Sequence, residues 1–151
     1  MIDQNTGEIT IESVPIRFGA DFSRGEFLHS PLVKNASVFV KNEPYCSYQI
    51  GTFRADDLSL IISLWFFGKK LESVELVHHT AEQFGSSWAD WTEENELKRK
   101  AIHDAWLEKQ LGKPPYIYDW GAVSSVYDER SGGSSIVVRY SFGGEKWKPD
   151  K

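Results

Sequence analysis

The feature that most constrains this fold is an apolar run of eight residues from Leu60 to Phe67, in which Ser63 is the only polar residue. The run has the length of a β-strand and is far shorter than the roughly 20 residues that a helix needs to cross a bilayer. Its apolar side chains occur at both parities, so we predict a central strand covered on both faces. Gly68 and Lys69 join it to an alternating segment from Leu71 to His78, which predicts a β-hairpin.

Two helices are predicted from the residues at their ends. At Glu93–Leu111, Thr92 is a candidate N-cap, acidic residues follow near the positive end of the helix dipole, and glycine and proline stand beyond the last turn. A capping box, in which Ser23 precedes Glu26 by three residues, predicts a short helix from Ser23 to His29. We expect the long helix to pack on the sheet through Leu97, Ala101, Ile102, Ala105 and Trp106.

Most of the remaining chain alternates between apolar and polar residues, as half-buried strands do. The further candidate strands are residues 8–18, 37–40, 45–53, 116–127 and 134–142. Hairpins with one long helix between them predict an α+β fold, in which a mostly antiparallel sheet carries that helix. A chain of 151 residues with 40% hydrophobic residues suits one domain. We assign residues 1–142 to that domain and residues 143–151 to a polar C-terminal tail.

Charge and cysteine content limit the partners and the compartment. The formal net charge of -5 disfavours a nucleic-acid partner, because phosphate neutralisation requires a basic patch, and favours a protein with a basic surface. Cys46 is the only cysteine, so no intramolecular disulfide forms. The first residues lack the basic and apolar regions of a secretory signal. We therefore predict a cytoplasmic protein that has no membrane partner.

Few residues favour an enzyme. His78, His79 and His103 with Asp104 are the available metal ligands, but adjacent histidines on a strand point to opposite faces. We expect His78 and His79 to end a strand in solvent, and His103 to lie on the polar side of the helix. No nucleophile elbow, zinc-protease helix or glycine-rich phosphate loop occurs in the sequence. These observations predict a protein that is not an enzyme and needs neither metal nor cofactor.

The tryptophans carry the alternative prediction. Trp88 and Trp91 precede the long helix, and we expect most of the indole rings to form the core between helix and sheet. The same rings favour a second hypothesis, a small-molecule-binding or hydrolytic domain with its pocket between helix and sheet. The residues that would line this pocket are Trp65, Trp88, Trp106, Trp120 and His103.

Several segments together resemble one group of small cytosolic bacterial proteins. These segments are residues 23–32, 41–48, 88–92, 98–107 and 120–128. The group is similar to the immunity proteins that accompany toxins delivered by type VI or contact-dependent secretion. The resemblance implies a protein that binds and neutralises a cognate toxin, and it implies no site residues. A structural subunit or adaptor of the secretion apparatus is a third hypothesis.

Acidic residues in loops and on the hairpin are the candidate contacts for such a partner. An inhibitor needs a rigid scaffold, a complementary charged surface and a few aromatic anchors, and it needs no reactive group of its own. The candidates are Asp56, Asp57, Glu72, Glu75, Asp128 and Glu129. We expect charge reversal at one of these clusters to slow association without unfolding the protein.

Overall fold

The computed structural model describes residues 1–14 and 16–141, so the predicted tail at 143–151 lies outside the described residues. The strands are β1 (Ile9–Thr10), β2 (Arg17–Phe18), β3 (Ser37–Asn42), β4 (Tyr45–Ala55), β5 (Leu58–Phe67), β6 (Lys70–His78), β7 (Tyr116–Tyr118), β8 (Gly121–Asp128) and β9 (Gly133–Tyr140). The helices are α1 (Arg24–Leu28), α2 (Ala81–Phe84) and α3 (Glu93–Leu111), with 3₁₀ turns at Pro31–Asn35 and Trp88–Asp90.

The predicted α+β class is confirmed. One sheet has seven antiparallel strands in the order β3-β4-β5-β6-β9-β8-β7, and β1 pairs with β2 in a separate two-stranded sheet. The strands β3 to β6 follow one another in the chain, as do β7 to β9, and the two groups join where β6 pairs with β9. The sheet is therefore built of hairpins, as the alternating segments predict. The single strands predicted at 116–127 and 8–18 are wrong, because the first is divided into β7 and β8 and the second into β1 and β2.

The predicted local signals also form. Gly68 adopts a φ of 60° in the turn between β5 and β6, a left-handed conformation that glycine adopts without strain. The Ser23 hydroxyl accepts a hydrogen bond from Glu26 N at 3.0 Å, which closes the capping box of α1. Thr92 caps α3 by accepting from Asn95 N at 3.1 Å. Each of these features joins residues three or fewer positions apart.

The two faces of the sheet differ in cover. On β5, one parity is buried, at Leu58, Leu60, Ile62, Leu64 and Phe66. We call this side the first face, and α1 and α3 pack on it. On the second face Ile61 and Trp65 are half-buried and Phe67 is exposed. The prediction that β5 is covered on both faces is therefore wrong for the second face, where small residues such as Ser63 and Ser73 reduce the apolar surface.

The part of the first face near the β5–β6 turn is covered by the N-terminal cover, which we define as residues 1–14 and 16–36. Its apolar side chains are fully buried at Ile9, Phe18 and Phe27. The Phe27 ring lies 4.7 Å from the Tyr48 ring and 6.0 Å from the Phe66 ring, between ring centroids. This cover is held by apolar and aromatic burial, and by hydrogen bonds that the Tyr140 hydroxyl donates to the Gly7 carbonyl oxygen and Trp120 Nε1 donates to the Gln4 carbonyl oxygen.

The other part of the first face is covered by α3, which does not use its predicted face. The buried residues of α3 are Glu96, Arg99, His103, Trp106, Leu107 and Leu111. Of the predicted face only Trp106 is buried and Ile102 half-buried, whereas Ala101 and Ala105 are exposed and Leu97 is 49% exposed. The expected helix face is therefore wrong, because three polar residues find hydrogen-bond partners beneath the helix and are buried in place of apolar ones.

Candidate functional site

A buried polar network lies beneath the first half of α3, with Arg99 at its centre. Arg99 Nε donates to the His78 carbonyl oxygen at 2.9 Å, and Nη1 pairs with the Glu96 carboxylate. Nη2 hydrogen-bonds with His79 Nδ1 at 3.1 Å. The guanidinium carbon lies 4.0 Å from the centroid of the Phe84 ring, a cation–π contact. Each guanidinium nitrogen therefore has a partner within the protein.

Glu96 ties α3 to the start of β9. Its second carboxylate oxygen accepts from Ser134 N at 3.0 Å, and the Ser134 hydroxyl donates to the Glu96 carbonyl oxygen at 2.9 Å. Glu96 and Arg99 are both buried, and a buried ion pair is tolerated only when its remaining hydrogen-bonding groups are satisfied. Both carboxylate oxygens of Glu96 have partners, so the network acts as a scaffold beneath the surface.

Two histidines of the network, His78 and His103, are buried as neutral rings. His103 is fully buried, and its Nε2 accepts a hydrogen bond from His78 N at 3.0 Å. Burial, assisted by the nearby Arg99 charge, lowers the pKa of His103 to about 4. His78 Nδ1 accepts from Ser59 N at 3.0 Å, and burial lowers the pKa of His78 as well.

The expected positions of these histidines therefore need correction. His78 and His103 are buried, and His79 is half-buried rather than free in solvent. A neutral imidazole nitrogen accepts a backbone N–H bond, so burial of the ring leaves that nitrogen satisfied. Within residues 1–14 and 16–141, no group of three or more histidine, cysteine, aspartate or glutamate side chains is arranged to hold a metal ion.

An open cleft of about 460 Å³ lies above the network, at the N-terminal end of α3. We call it the Trp88 cleft. Its defining residues are His79, Phe84, Trp88, Asp90, Trp91 and Gly132. They come from α2, from the 3₁₀ turn before α3 and from the β8–β9 turn. The buried network positions the floor of this cleft, because His79 and Phe84 both contact Arg99.

The two tryptophans of the cleft have different environments. Trp91 Nε1 donates to the Gly132 carbonyl oxygen at 2.7 Å. Gly132 has a φ of 71°, and a Cβ there would stand 3.1 Å from the Trp91 ring, so this close approach requires glycine. Trp88 is 74% exposed, and its ring centroid lies 6.4 Å from that of Trp91. Trp91 is thus fixed by the β8–β9 turn and supports an exposed Trp88.

Exposed carboxylates stand on the elements that form the cleft, and of these Asp90 lines the cleft itself. They are Glu82, Asp90, Glu93, Glu94, Asp128 and Glu129. Asp128 and Glu129, two of the predicted contacts, belong to the turn on which Trp91 packs. Against these acids stand Arg130, in the same turn, and Lys98, whose ammonium lies 3.5 Å from Glu94. The surface around Trp88 is therefore acidic.

The other four predicted contacts lie elsewhere. Asp56 accepts from Trp106 Nε1 at 3.0 Å, an internal bond that fastens α3 to the β4–β5 turn, and Asp57 is exposed beside it. Glu72 is the extra residue of a β-bulge in β6. Glu75 is half-buried on the second face, where burial raises the pKa of its carboxyl. Of the six predicted contacts, Asp128 and Glu129 are the ones at the β8–β9 turn, which forms one side of the cleft.

The five residues of the predicted aromatic pocket are not brought together. Trp65 lies on the second face of β5, and Trp106 is buried under α3. Trp120 lies between β7 and β8, where its Nε1 donates to the carbonyl oxygen of a residue in the N-terminal cover. His103 is fully buried, and Trp88 is in its own cleft. The space expected for the pocket is occupied by core side chains.

Sequence reasoning did not identify Phe84 and Gly132 as site residues. The signal for one part of the cleft is present, since Trp88 and Trp91 stand just before the Thr92 cap. Gly132 follows only from its contact with Trp91, which spans 41 positions along the chain. The cleft is therefore a tertiary feature.

Comparison of the chain with protein-family models, with curated proteins and with solved structures yields no match in any of the three. Among the described helices, none is both long enough and apolar enough to cross a membrane. Function is therefore inferred from the geometry of the Trp88 cleft and the chemistry of its surroundings.

Proposed function

We propose that this protein is a non-enzymatic immunity protein that binds a cognate bacterial toxin through the Trp88 cleft. The toxin presents a basic surface to this cleft and loses its activity when covered. One observation carries the proposal: Trp88 is 74% exposed on a 3₁₀ turn, beside a fixed Trp91 and on a surface whose elements carry exposed carboxylates. A large exposed indole in such surroundings is typical of a binding anchor.

The energetics of an anchor fit Trp88. Tryptophan is enriched among the few interface residues that contribute most to affinity, and it loses little side-chain entropy on binding. Trp91 supports the turn through a 2.7 Å hydrogen bond to Gly132, so little reorganisation is needed when a partner binds. The anchor is therefore preorganised in the free protein.

The carboxylates around the cleft supply the second part of recognition. Asp128 and Glu129 are exposed on the turn that supports Trp91, where they attract a basic partner before contact is made. Such exposed charges affect the association rate and its dependence on salt more than the final affinity. They favour a basic surface on the partner.

The buried network supports a binding role over catalysis. Each guanidinium nitrogen of Arg99 has a protein partner, and both carboxylate oxygens of Glu96 accept hydrogen bonds. A catalytic group must reach the atom on which it acts, directly or through one water. Groups already satisfied inside the fold are better suited to holding the cleft in shape.

A second candidate function is the binding of a small molecule in the Trp88 cleft. The volume of about 460 Å³ falls in the range of ligand pockets, which is roughly 300–1,000 Å³. Phe84, Trp88 and Trp91 offer aromatic surface, and Asp90 offers a carboxylate. A metabolite that protects the protein against unfolding, without any protein partner, would favour this second function.

The test begins with capture of the partner from the source cells on tagged wild-type protein. The captured protein is then expressed alone, and growth is measured with and without the immunity protein. We expect growth arrest with the partner alone and recovery with wild type. Trp88→Ala should weaken the complex about 30-fold, which corresponds to about 2 kcal/mol at a binding hot spot, and should fail to restore growth.

Phe39→Ala is the matched control, because Phe39 is 68% exposed on β3 at the far edge of the sheet. We expect this variant to bind and protect as wild type does. Both variants should unfold at the wild-type temperature, since neither side chain is buried. Full protection by Trp88→Ala, with unchanged affinity, would refute the cleft as the binding surface.

The acidic surroundings are tested by association kinetics with the same captured partner. Asp128→Lys with Glu129→Lys should lower the association rate constant about tenfold at low salt, and the difference should shrink at high salt. The double reversal Asp57→Lys with Glu72→Lys is the control, because neither residue belongs to the β8–β9 turn to which Trp91 bonds. Equal effects of the two double variants would contradict a local role for the cleft acids.

A further inference from the structure

A second opening lies at the β7–β8 edge of the sheet, where β8 is only partly paired. β7 pairs with three residues of β8, from Tyr116 opposite Val123 to Tyr118 opposite Gly121. β8 continues to Asp128, so residues 124–128 have no neighbouring strand on this side among the described residues. Unpaired backbone groups along such an edge are a template for another strand.

The chain itself cannot extend β7 along this edge. Continuing the antiparallel register from Tyr116 opposite Val123 places Pro115 beside Ser124 and Pro114 beside Ser125. A proline has no backbone N–H and cannot donate to the ladder. The two prolines therefore end β7 and leave the rest of the β8 edge to another strand.

A groove of about 480 Å³ opens beside the unpaired edge, between β8 and α3. Pro115 and Ile117 line its apolar side, and Ile117 is 52% exposed. The Ser125 hydroxyl also lines it, and this buried oxygen has no hydrogen-bond partner among the described residues. A buried hydroxyl is stabilised by a partner, and a strand added to the groove would bring backbone groups near it.

The α3 wall of the groove carries net negative charge. Lys100 Nζ lies 3.0 Å from the Asp104 carboxylate, so these two charges compensate each other. Glu108 lines the same wall and makes no ion pair with the described residues. A basic side chain on an incoming segment would meet Glu108 with complementary charge.

The opposite edge of the sheet is less suited to strand addition. β3 carries a β-bulge between Val38 and Val40, with Phe39 as the extra residue. A bulge interrupts the ladder and twists an edge away from pairing. The two edges therefore differ, and the β8 edge is the one with a straight ladder and a groove beside it.

We propose that residues 124–128 of β8 accept an extended segment of a partner protein as an added strand, with a lysine or arginine of that segment beside Glu108. Backbone hydrogen bonds along β8 supply affinity, and the α3 wall selects for positive charge. The surface lies apart from the Trp88 cleft and shares no lining residue with it. The proposal therefore stands or falls independently of the proposed function.

The test uses a synthetic seven-residue peptide of alternating valine and lysine, blocked at both ends, and backbone amide chemical shifts of the full chain. We expect shift changes centred on residues 122–128 and on the facing part of α3. The same peptide with glutamate for lysine should bind at least tenfold more weakly. A peptide N-methylated at alternate residues should not bind, because its backbone cannot complete the ladder.

Glu108→Lys should weaken binding of the lysine peptide at least tenfold, whereas Glu12→Lys, an exposed reversal in the N-terminal cover, should leave it unchanged. Absence of shifts at the β8 edge with every peptide would overturn the proposal. So would binding that appears only after residues 143–151 are deleted, since the chain would then fill its own groove. Concentration-dependent dimers of the free protein, abolished by Glu108→Lys, would assign the edge to a second copy instead.

Discussion

The two covers of the first sheet face bury different chemistry. The N-terminal cover places Ile9, Phe18 and Phe27 against the sheet, all fully buried. α3 covers the rest of the same face and buries Glu96, Arg99 and His103 along with its apolar residues. Both covers make hydrogen bonds to the rest of the fold, but among the described residues the N-terminal cover buries no polar or charged side chain, whereas α3 buries three. Hydrogen bonds and ion pairs are directional, and apolar burial is not. The Trp88 cleft lies at the α3 end, where Glu96 and Arg99 are among its lining residues.

Directional bonds define one orientation of a helix, whereas apolar contacts tolerate some repacking. Arg99 and Glu96 connect α3 to His78 at the end of β6 and to Ser134 at the start of β9. These contacts set the position of the first turn of α3, and Trp91 lies directly before it. The buried polar side chains of α3 therefore fix the surface at its N-terminal end. The N-terminal cover contributes mainly to stability.

The largest loss of stability is expected for a substitution in the N-terminal cover. Phe27→Ala should lower the free energy of unfolding by about 4 kcal/mol, because it removes a buried ring that packs on Tyr48 and Phe66. Urea unfolding measures the loss. Leu28→Ala, at the exposed neighbouring position, should change it by less than about 0.5 kcal/mol. A loss below about 2 kcal/mol at Phe27 would remove the contrast between the covers.

Breaking the buried ion pair between Arg99 and Glu96 of α3 should lower the free energy of unfolding somewhat less. Arg99→Met leaves the Glu96 carboxylate buried without its cation, and we expect a loss of about 3 kcal/mol in unfolding free energy. Adding Glu96→Gln removes the unpaired charge and retains an acceptor for Ser134 N. The double variant should therefore regain at least half of the loss. A double variant less stable than Arg99→Met would contradict this explanation.

Burial of His103 in α3 also makes the stability of the protein depend on pH. The folded-state pKa of His103 is about 4, below its ordinary value of 6.5, so the unfolded chain binds more protons between these values. The stabilising contribution is complete above pH 6.5 and is lost as the pH falls towards 4. Relative to His103→Gln, wild type should lose about 2 kcal/mol between pH 7 and pH 5. A constant difference between the two proteins would show that His103 does not titrate in this way.

The smallest effect is expected on the helix face that the apolar pattern favours. Leu97→Ala should change the unfolding free energy by less than about 0.5 kcal/mol, because Leu97 is 49% exposed. The same substitution at fully buried Leu107 should cost about 3 kcal/mol. Thermal unfolding of the two variants is sufficient to compare them. Similar losses of unfolding free energy at Leu97 and Leu107 would indicate that α3 packs through the face predicted from its apolar residues. They would contradict packing through the buried polar residues.

The features that the sequence predicts correctly depend on residues that are close together along the chain. The β5–β6 hairpin follows from Gly68 between two apolar segments, and α1 follows from the Ser23 capping box. The orientation of α3 was missed because burial of Arg99 depends on the carbonyl oxygen of His78, a residue 21 positions away. No helix-periodic pattern contains that information.

The candidate site shows the same division. Trp88, Asp128 and Glu129 were each identified from the sequence, but as members of different hypotheses. They belong to one surface because Trp91 bonds to Gly132, which brings the β8–β9 turn to the start of α3. Some residues of this surface can therefore be predicted from the sequence. That they lie on one surface cannot, because it depends on a contact between distant parts of the chain.

The strand order has a consequence for synthesis on the ribosome. Of the seven-stranded sheet, strands β3 to β6 emerge first. β6 pairs with β5 on one side and with β9 on the other, where Leu76 lies opposite Ile136. At roughly 5–20 residues per second, the interval between these two residues lasts on the order of several seconds. During that time the middle strand of the finished sheet is an uncovered edge. The nascent chain thus passes through a period in which the β6 edge is open to pairing with other chains.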